Sequence, residues 1–541
     1  MGTKRIRNLS RIAAALVIST AVLATAAPAR ASTTQESVLQ DDPQLLGVRP
    51  YQLEQRIFFL KAIGVDRLRV SVFWSNIAPR SRSQSRPHFP SPGPRFPQSY
   101  PAGAWGPYDN LAAIAKKYDL KLLFTLTGPV PAWATPGAQR HEGLFRPDAN
   151  DFKNFASAVG LRYSGNFTVR DRATGKVWRL PRVDSWSIWN EPNFPSWLLP
   201  IWLPNRPKTA RDMVAAAPHH YRKLLDAGWA GLRNSGHGRD LILIGETAPR
   251  GAKKPSQLGN SMAPAEFARE LYCVKANFRP YTEDEARERN CPVTPSARRA
   301  FRRSHPGLFN ATGYAHHAYS LDRRAWRTPP WRHPIKDNVP IGNLGRLTRT
   351  LDRAGFTWGS QRRMSIWITE YGYQTTPPDP VAGVPPERQG PLTAWGEYMA
   401  YTNPRVASIA QFLFVDDKPI LQYAEDDPKR WMTWQSGLFT QDARPKPFLR
   451  DYLVPLHVTQ EGLTVRVFGA YRPGKPGTPV SARIEYSRGG GQWFVLRGMQ
   501  VTNLRGYLNT TVTVPGAGLV RILWTDPTRG IPVPTNPARV G

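Results

Sequence analysis

Between Gln44 and Pro455 the sequence alternates short apolar runs with longer amphipathic stretches, and this pattern restricts the fold more than any other feature. Apolar runs of strand length suit strands buried on both faces, and helices between them make successive strands parallel. The strand candidates are Leu45–Val48 (the weakest), Leu68–Phe73, Leu122–Leu126, Ser185–Trp189, Leu241–Gly245, Thr312–Ala315, Ser365–Thr369 and Ala407–Phe414. Helical periodicity fills the intervals, as in Gln52–Ile63, Tyr108–Tyr118, Phe152–Tyr163, His219–Arg233, Pro264–Cys273, Asn343–Ala354 and Leu392–Tyr401. Eight such units close most simply into an α/β fold, a (β/α)8 TIM barrel, expected over residues 32–455. The Pro- and Arg-rich connections Pro79–Gly103 and Pro195–Pro207 follow strands, which places them on the C-terminal face, where such barrels bind substrate.

After Pro455 the helical period disappears. Leu463–Phe468, Ala482–Tyr486, Trp493–Leu496, Tyr507–Val514 and Leu519–Trp524 are short strands between Gly/Pro turns, and a β-sandwich accessory domain is expected over 456–541. Trp493 or Tyr486 could bind carbohydrate there, but a core role is the commoner use of such residues.

At the other end, Lys4, Arg5, Arg7 and Arg11 precede an apolar run from Ile12 to Ala27 and then Ala29-Arg30-Ala31. This is the order of a secretory signal peptide, residues 1–31, and it implies a secreted, extracellular chain with no transmembrane segment after cleavage. Cys273 and Cys291 are the only cysteines, in a charged stretch that reads as a surface loop, and export makes a disulfide between them the expectation. The net charge is +33, or +28 without the five basic residues of the leader. An anionic cell-envelope polymer, an acidic polysaccharide or nucleic acid could answer that charge, and so could a plain solvated, Arg-rich surface. The basic residues are scattered and no nucleic-acid motif accompanies them, so no specific nucleic acid is expected.

Two strand ends carry the chemistry. Ser185-Trp186-Ser187-Ile188-Trp189-Asn190-Glu191-Pro192-Asn193 is an apolar strand ending in an amide and a carboxylate, and Ile366-Trp367-Ile368-Thr369-Glu370-Tyr371-Gly372 repeats the arrangement. Two glutamates at equivalent strand ends can face one another across a barrel mouth. One alone would be read as an exposed or salt-bridged residue.

The segments Trp189-Asn190-Glu191-Pro192 and Ile368-Thr369-Glu370-Tyr371-Gly372 resemble the strand-four and strand-seven motifs of the clan A glycoside hydrolases. The likeness extends over most of 44–455 and is to a secreted, actinobacterial-type member of the cellulase-like and xylosidase-like superfamily. It implies a retaining hydrolase in which Glu191 is the acid/base and Glu370 the nucleophile. The Glu191–Glu370 interval is long for three βα units, with the surplus around Cys273–Cys291. Retaining chemistry needs one protonated and one ionised carboxyl group. Glu370 therefore wants cationic or hydroxyl neighbours, and Glu191 wants drier surroundings.

Arg69 resembles the clan's strand-two arginine beside the nucleophile, and His317 and Tyr319 resemble its HxY pattern, with Tyr319 bonded to Glu370. Asn190 would bond the sugar 2-OH. Trp74, Trp133, Trp197 and Trp434 are candidates for stacking on sugar rings, and Glu246 is a third strand-end carboxylate, read as substrate-binding or as a plain loop residue. The clan usually ends strand eight with a tryptophan, whereas this chain has Gln411-Phe412-Leu413-Phe414, so Trp434 on the following loop is the expected substitute. His316 and His317 are adjacent and point to opposite faces of a strand, which argues against a metal pair. No metal and no organic cofactor are expected. The leading expectation is a retaining hydrolase of an extracellular polysaccharide or glycoside, and the alternative is a non-catalytic carbohydrate- or envelope-binding barrel.

Overall fold

The computed structural model describes residues 32–136, 143–170, 175, 177–204, 213–252, 255, 257–320 and 333–541; the expected leader, 1–31, lies outside them. Eight parallel strands close into a barrel in sequence order: β1 (Glu36–Gln40), β2 (Arg67–Phe73), β3 (Lys121–Thr127), β4 (Ser185–Ile188), β5 (Leu241–Thr247), β6 (Gly313–His317), β7 (Ser365–Glu370) and β8 (Val406–Phe412). β8 closes onto β1 with Glu36 opposite Ser408 and Gln40 opposite Phe412.

The expected first strand is corrected. Leu45–Val48 is not a strand: Asp41 caps a short helix, Asp42–Leu46, by accepting from Gln44 N–H at 3.0 Å, with Pro43 in its first turn. The true β1 is polar at Glu36, Ser37 and Gln40, yet these residues are buried and paired with barrel partners. A strand whose inward face is polar has no continuous apolar run to reveal it.

Alternation along β2 shows how the barrel fills. Leu68, Val70 and Val72 face the helical layer, while Arg67 and Arg69 point into the barrel. Arg67 pairs with Glu36 at 2.8 Å and donates to Ser185 Oγ at 2.6 Å near the N-terminal end. Leu123, Leu243, Ala315 and Trp367 form a small apolar layer inside the barrel, and Arg69 anchors the polar layer at the C-terminal mouth. The helices Pro50–Ala62, Gly106–Lys117, Ala149–Arg162, Ala217–Asn234, Leu344–Thr357 and Pro386–Tyr401 cover the outside.

The insertion between β5 and β6 contains the helices Glu283–Glu288 and Pro295–Ser304 and the disulfide Cys273–Cys291. The half-cystines are not in a surface loop. Both are buried, and Arg222 donates to Cys273 Sγ at 3.1 Å.

The C-terminal module consists of two antiparallel sheets. β9 (Leu456–Glu461), β10 (Thr464–Ala470) and β13 (Tyr507–Thr513) form one. β12 (Phe494–Val501), β11 (Val480–Ser487), β14 (Gly518–Thr525) and β15 (Pro532–Pro534) form the other, with β16 (Ala538–Val540) also on β14. Val465, Val467, Ile484, Ile522 and Trp524 are in its core. Tyr486 is also core, its hydroxyl donating to Ala517 O at 2.8 Å, and the Arg521 guanidinium sits 4.0 Å over the Trp493 ring. The module docks on the barrel through Tyr401, Phe468 and Tyr507, and Tyr507 donates to the buried Glu397 at 3.0 Å.

Candidate active site

Arg69 in the first half of β2 and the C-terminal ends of β4, β5, β6 and β7, with Glu191, Glu246, His317 and Glu370, meet in one cluster. One ligand atom each from Glu191, His317 and Glu370 lies within 4.8 Å of the other two, so the two carboxylates approach within that distance. An approach of one oxygen from each group to within that distance is compatible with the short separation of about 5 to 5.5 Å that a directly attacking carboxylate needs. The β4 end is bent to achieve it: Trp189 and Glu191 have φ of 72° and 37°, a region that side-chain-bearing residues seldom occupy. Glu191 N–H donates to Glu246 O at 3.0 Å, and the Asn193 side chain bonds Ala248 O, Ala248 N–H and Met262 O, tying the two loop starts together.

Arg69 is fully buried and all its edges are engaged. Nη1 donates to Glu370 Oε1 at 2.9 Å and also to Gln40 Oε1. Nη2 donates to Asn190 Oδ1 at 2.6 Å and to Glu246 Oε2 at 2.6 Å, while Nε donates to Glu246 Oε1 at 3.0 Å and Thr125 Oγ1 at 3.1 Å. Because Asn190 Oδ1 is occupied by the guanidinium, its amide N–H groups remain the donors for a ligand.

Glu370 Oε2 accepts from Tyr319 OH at 3.0 Å and lies 3.3 Å from His317 Nδ1. The same Nδ1 is 2.8 Å from Glu191 Oε1, so one imidazole nitrogen bridges the acidic pair. Burial drives the Glu370 carboxyl above the usual carboxylate range; His317 and Arg69 pull it back, while Glu191 and Glu246 add to the rise. The cationic neighbours expected from the sequence are present, but burial wins. For His317, burial opposes charging, yet Glu370 and Glu191 outweigh it and hold the imidazole above its ordinary value. His317 Nε2 is buried and has no partner among the described residues, a polar atom suited to a ligand hydroxyl. His316 faces away, bonded to Thr247 Oγ1 at 3.0 Å and Val339 O at 2.6 Å, and burial lowers it to about 4.

The geometry could also accommodate a cation between Glu191, His317 and Glu370, but Arg69 and Tyr319 already occupy the two oxygens of Glu370. The other group of potential ligands, His219 with Cys273 and Cys291, has its sulfurs in the disulfide.

The aromatic candidates separate. The Trp434 ring stacks on Tyr319 with centroids 4.7 Å apart and meets Phe412 edge-on at 5.4 Å, so Tyr319, Trp434 and Phe412 make an aromatic wall beside Glu370. Phe412 occupies the strand-eight end. Trp74 is corrected: it is fully buried, stacked on Phe155 at 5.5 Å, and cannot touch a sugar. Trp133 packs edge-on to Trp74 and Phe89 and donates to Pro79 O at 3.0 Å, which makes it a support for the long loop after β2. Trp197 lies half-buried against Phe73, with the rings 13° from parallel. The Glu246 side chain is fully buried, with both of its oxygens held by Arg69. Sequence reasoning missed Gln40 and Thr125, whose only signal is a polar residue in an inward-facing strand position.

No family model and no curated protein matches the chain. Among solved structures it is similar to a glucosidase from Croceicoccus marinus, with 11% identity, a TM-score of 0.44 and coverage of 92% of this chain and 97% of that one. It is similar to a monomeric beta-xylosidase from Caulobacter crescentus CB15 at 12% identity and a TM-score of 0.44, covering 94% and 96% of the two chains. A family 1 b-glucosidase from Thermotoga maritima matches at 12% identity and a TM-score of 0.44, over 74% of this chain and 85% of that one.

Proposed function

We propose that this chain is a retaining O-glycosyl hydrolase acting by double displacement, with Glu370 as nucleophile and Glu191 as acid/base. The observation that carries the reading is the approach of one oxygen of each carboxylate to within 4.8 Å of the other, from the ends of β4 and β7. Glu370, aligned by Arg69 and Tyr319, attacks the anomeric carbon while Glu191 gives its proton to the departing oxygen. A glycosyl ester on Glu370 results. Glu191, now ionised and bonded to His317, then takes a proton from water, which displaces the sugar from Glu370 with a second inversion. Asn190 amide N–H and His317 Nε2 are the polar contacts for the bound sugar, and the Trp434–Phe412 wall receives its C–H face. The chemistry draws on carboxylates alone, without metal or organic cofactor.

Charge and the N-terminal pattern support two further parts of the reading: export after cleavage behind Ala31, and an extracellular polysaccharide substrate, with an anionic envelope polymer as the partner that the cleaved chain, at +28, would concentrate on. The test is hydrolysis of a panel of plant, fungal and bacterial envelope polysaccharides with the first-formed anomer read by NMR. Retention of configuration is the expected result. Inverted product would overturn the double displacement, and binding without release of sugar would establish the non-catalytic barrel instead.

A further inference from the structure

We propose that Glu246 is a positioning residue that serves as the standing counter-ion of Arg69 while the nucleophile is esterified, an inference that rests on the reading of Glu370 as nucleophile. Arg69 is wholly buried and pairs with two carboxylates, Glu370 through Nη1 and Glu246 through Nη2 and Nε. The Glu246 side chain is itself fully buried, and Thr125 Oγ1 donates to its Oε1 at 3.2 Å.

Charge accounting over the first step explains why one carboxylate would not suffice. When Glu370 forms its bond to the anomeric carbon and the bond to the departing oxygen breaks, Glu370 becomes a neutral ester, and Glu191 becomes anionic as its proton leaves with the aglycone. The negative charge thus moves from the Arg69 side of the cluster to the His317 side, where Nδ1 lies 2.8 Å from Glu191. A buried guanidinium deprived of its carboxylate is strongly disfavoured. Glu246 leaves Arg69 paired throughout. Its two-point grip on Nε and Nη2 also fixes the guanidinium plane, so that Nη1 points at Glu370 and Nη2 at Asn190. The sequence alone shows only a carboxylate at the end of β5. The second negative charge on one buried cation is visible only in the fold.

The proposal predicts asymmetric effects on the two half-reactions, which a merely structural role would not produce. With a 2-deoxy-2-fluoroglycoside that labels the wild-type protein, inactivation reports formation of the ester and reactivation reports its breakdown. Glu246→Gln should slow inactivation while leaving reactivation unchanged or faster, changing the ratio of the two rate constants by at least roughly tenfold. Glu246→Asp, which retains the charge, should restore the wild-type ratio even if both steps are slower. Should Glu246→Gln fail to fold, the comparison passes to Arg69→Met against Arg69→Met/Glu246→Gln, in which no cation is stranded. The double variant should be no slower than Arg69→Met. Equal slowing of both half-reactions in Glu246→Gln, or a further loss in the double variant, would overturn the role given to Glu246. Failure of the wild-type protein to be labelled at Glu370 would instead overturn the hydrolase reading beneath it.

Discussion

Tyr319→Phe isolates the bond that steadies the nucleophile. Tyr319 OH donates to Glu370 Oε2 at 3.0 Å, and among the described residues the other polar contact of that oxygen, His317 Nδ1 at 3.3 Å, is shared with Glu191 at 2.8 Å. The replacement retains the ring, so stacking on Trp434 at 4.7 Å and the edge contact with Phe412 at 6.1 Å survive. A hydrogen bond to a charged acceptor contributes about 1.5–3 kcal/mol, or about 10- to 150-fold in an equilibrium. The lost donor favours the protonated carboxyl. Burial already places Glu370 above the usual range, and it must be ionised to attack, so activity is present above its folded pKa and lost as pH falls through it. The acidic limb of kcat/KM should therefore move to higher pH in Tyr319→Phe. On that limb the rate should fall about 10- to 150-fold, with a smaller loss on the plateau. The assay is a pH–rate profile with an aryl glycoside of the preferred sugar, accompanied by thermal melts, whose midpoint should change by no more than a few degrees. An unmoved limb, or one displaced to lower pH, would refute the role of Tyr319 as donor to the ionised nucleophile.

Glu370→Gln should abolish turnover, whereas Glu191→Ala should slow substrates with poor leaving groups most and be rescued by azide to give a glycosyl azide of inverted configuration, read by NMR. Trp434→Ala should raise KM roughly five- to tenfold with little change in the melting midpoint, while Trp74→Ala should cost about 3–5 kcal/mol in denaturant unfolding and leave KM near wild type. His316 is held near 4 by burial, below its ordinary value of 6.5, so the stability it contributes is present above 6.5 and lost as pH falls toward 4, when only the unfolded chain protonates. The difference in unfolding free energy between wild type and His316→Gln should accordingly shrink by up to about 3 kcal/mol from pH 7 to pH 4 in denaturant titrations.

Strands two to eight were legible because each presents an apolar face to the helical layer, and the two glutamates because each stands at or just after the end of such a strand. Strand one was not legible. Its inward residues, Glu36 and Gln40, are matched by Arg67 and Arg69 of the adjacent β2, and a strand whose inward side chains are polar carries no continuous apolar run. The same limit applies to Glu246 and Trp74. A carboxylate at a strand end reads identically whether it faces a ligand or a buried guanidinium, and an aromatic one residue past β2 reads identically whether it lines the cleft or packs on Phe155. Trp434 is the converse case: it lies far along a loop, and only the fold brings its ring onto Tyr319.

In the proposed reaction Glu370 forms a bond to sugar while Glu191, close enough to serve the same glycosidic linkage, moves the proton. Peptide mapping by mass spectrometry after treatment with a panel of 2-deoxy-2-fluoroglycosyl fluorides tests it most directly. One fluorosugar per chain on the peptide carrying Glu370, and none in Glu370→Gln, is the expected outcome. A label on Glu191 or Glu246, or an unlabelled protein that releases sugar with inverted configuration, would contradict it.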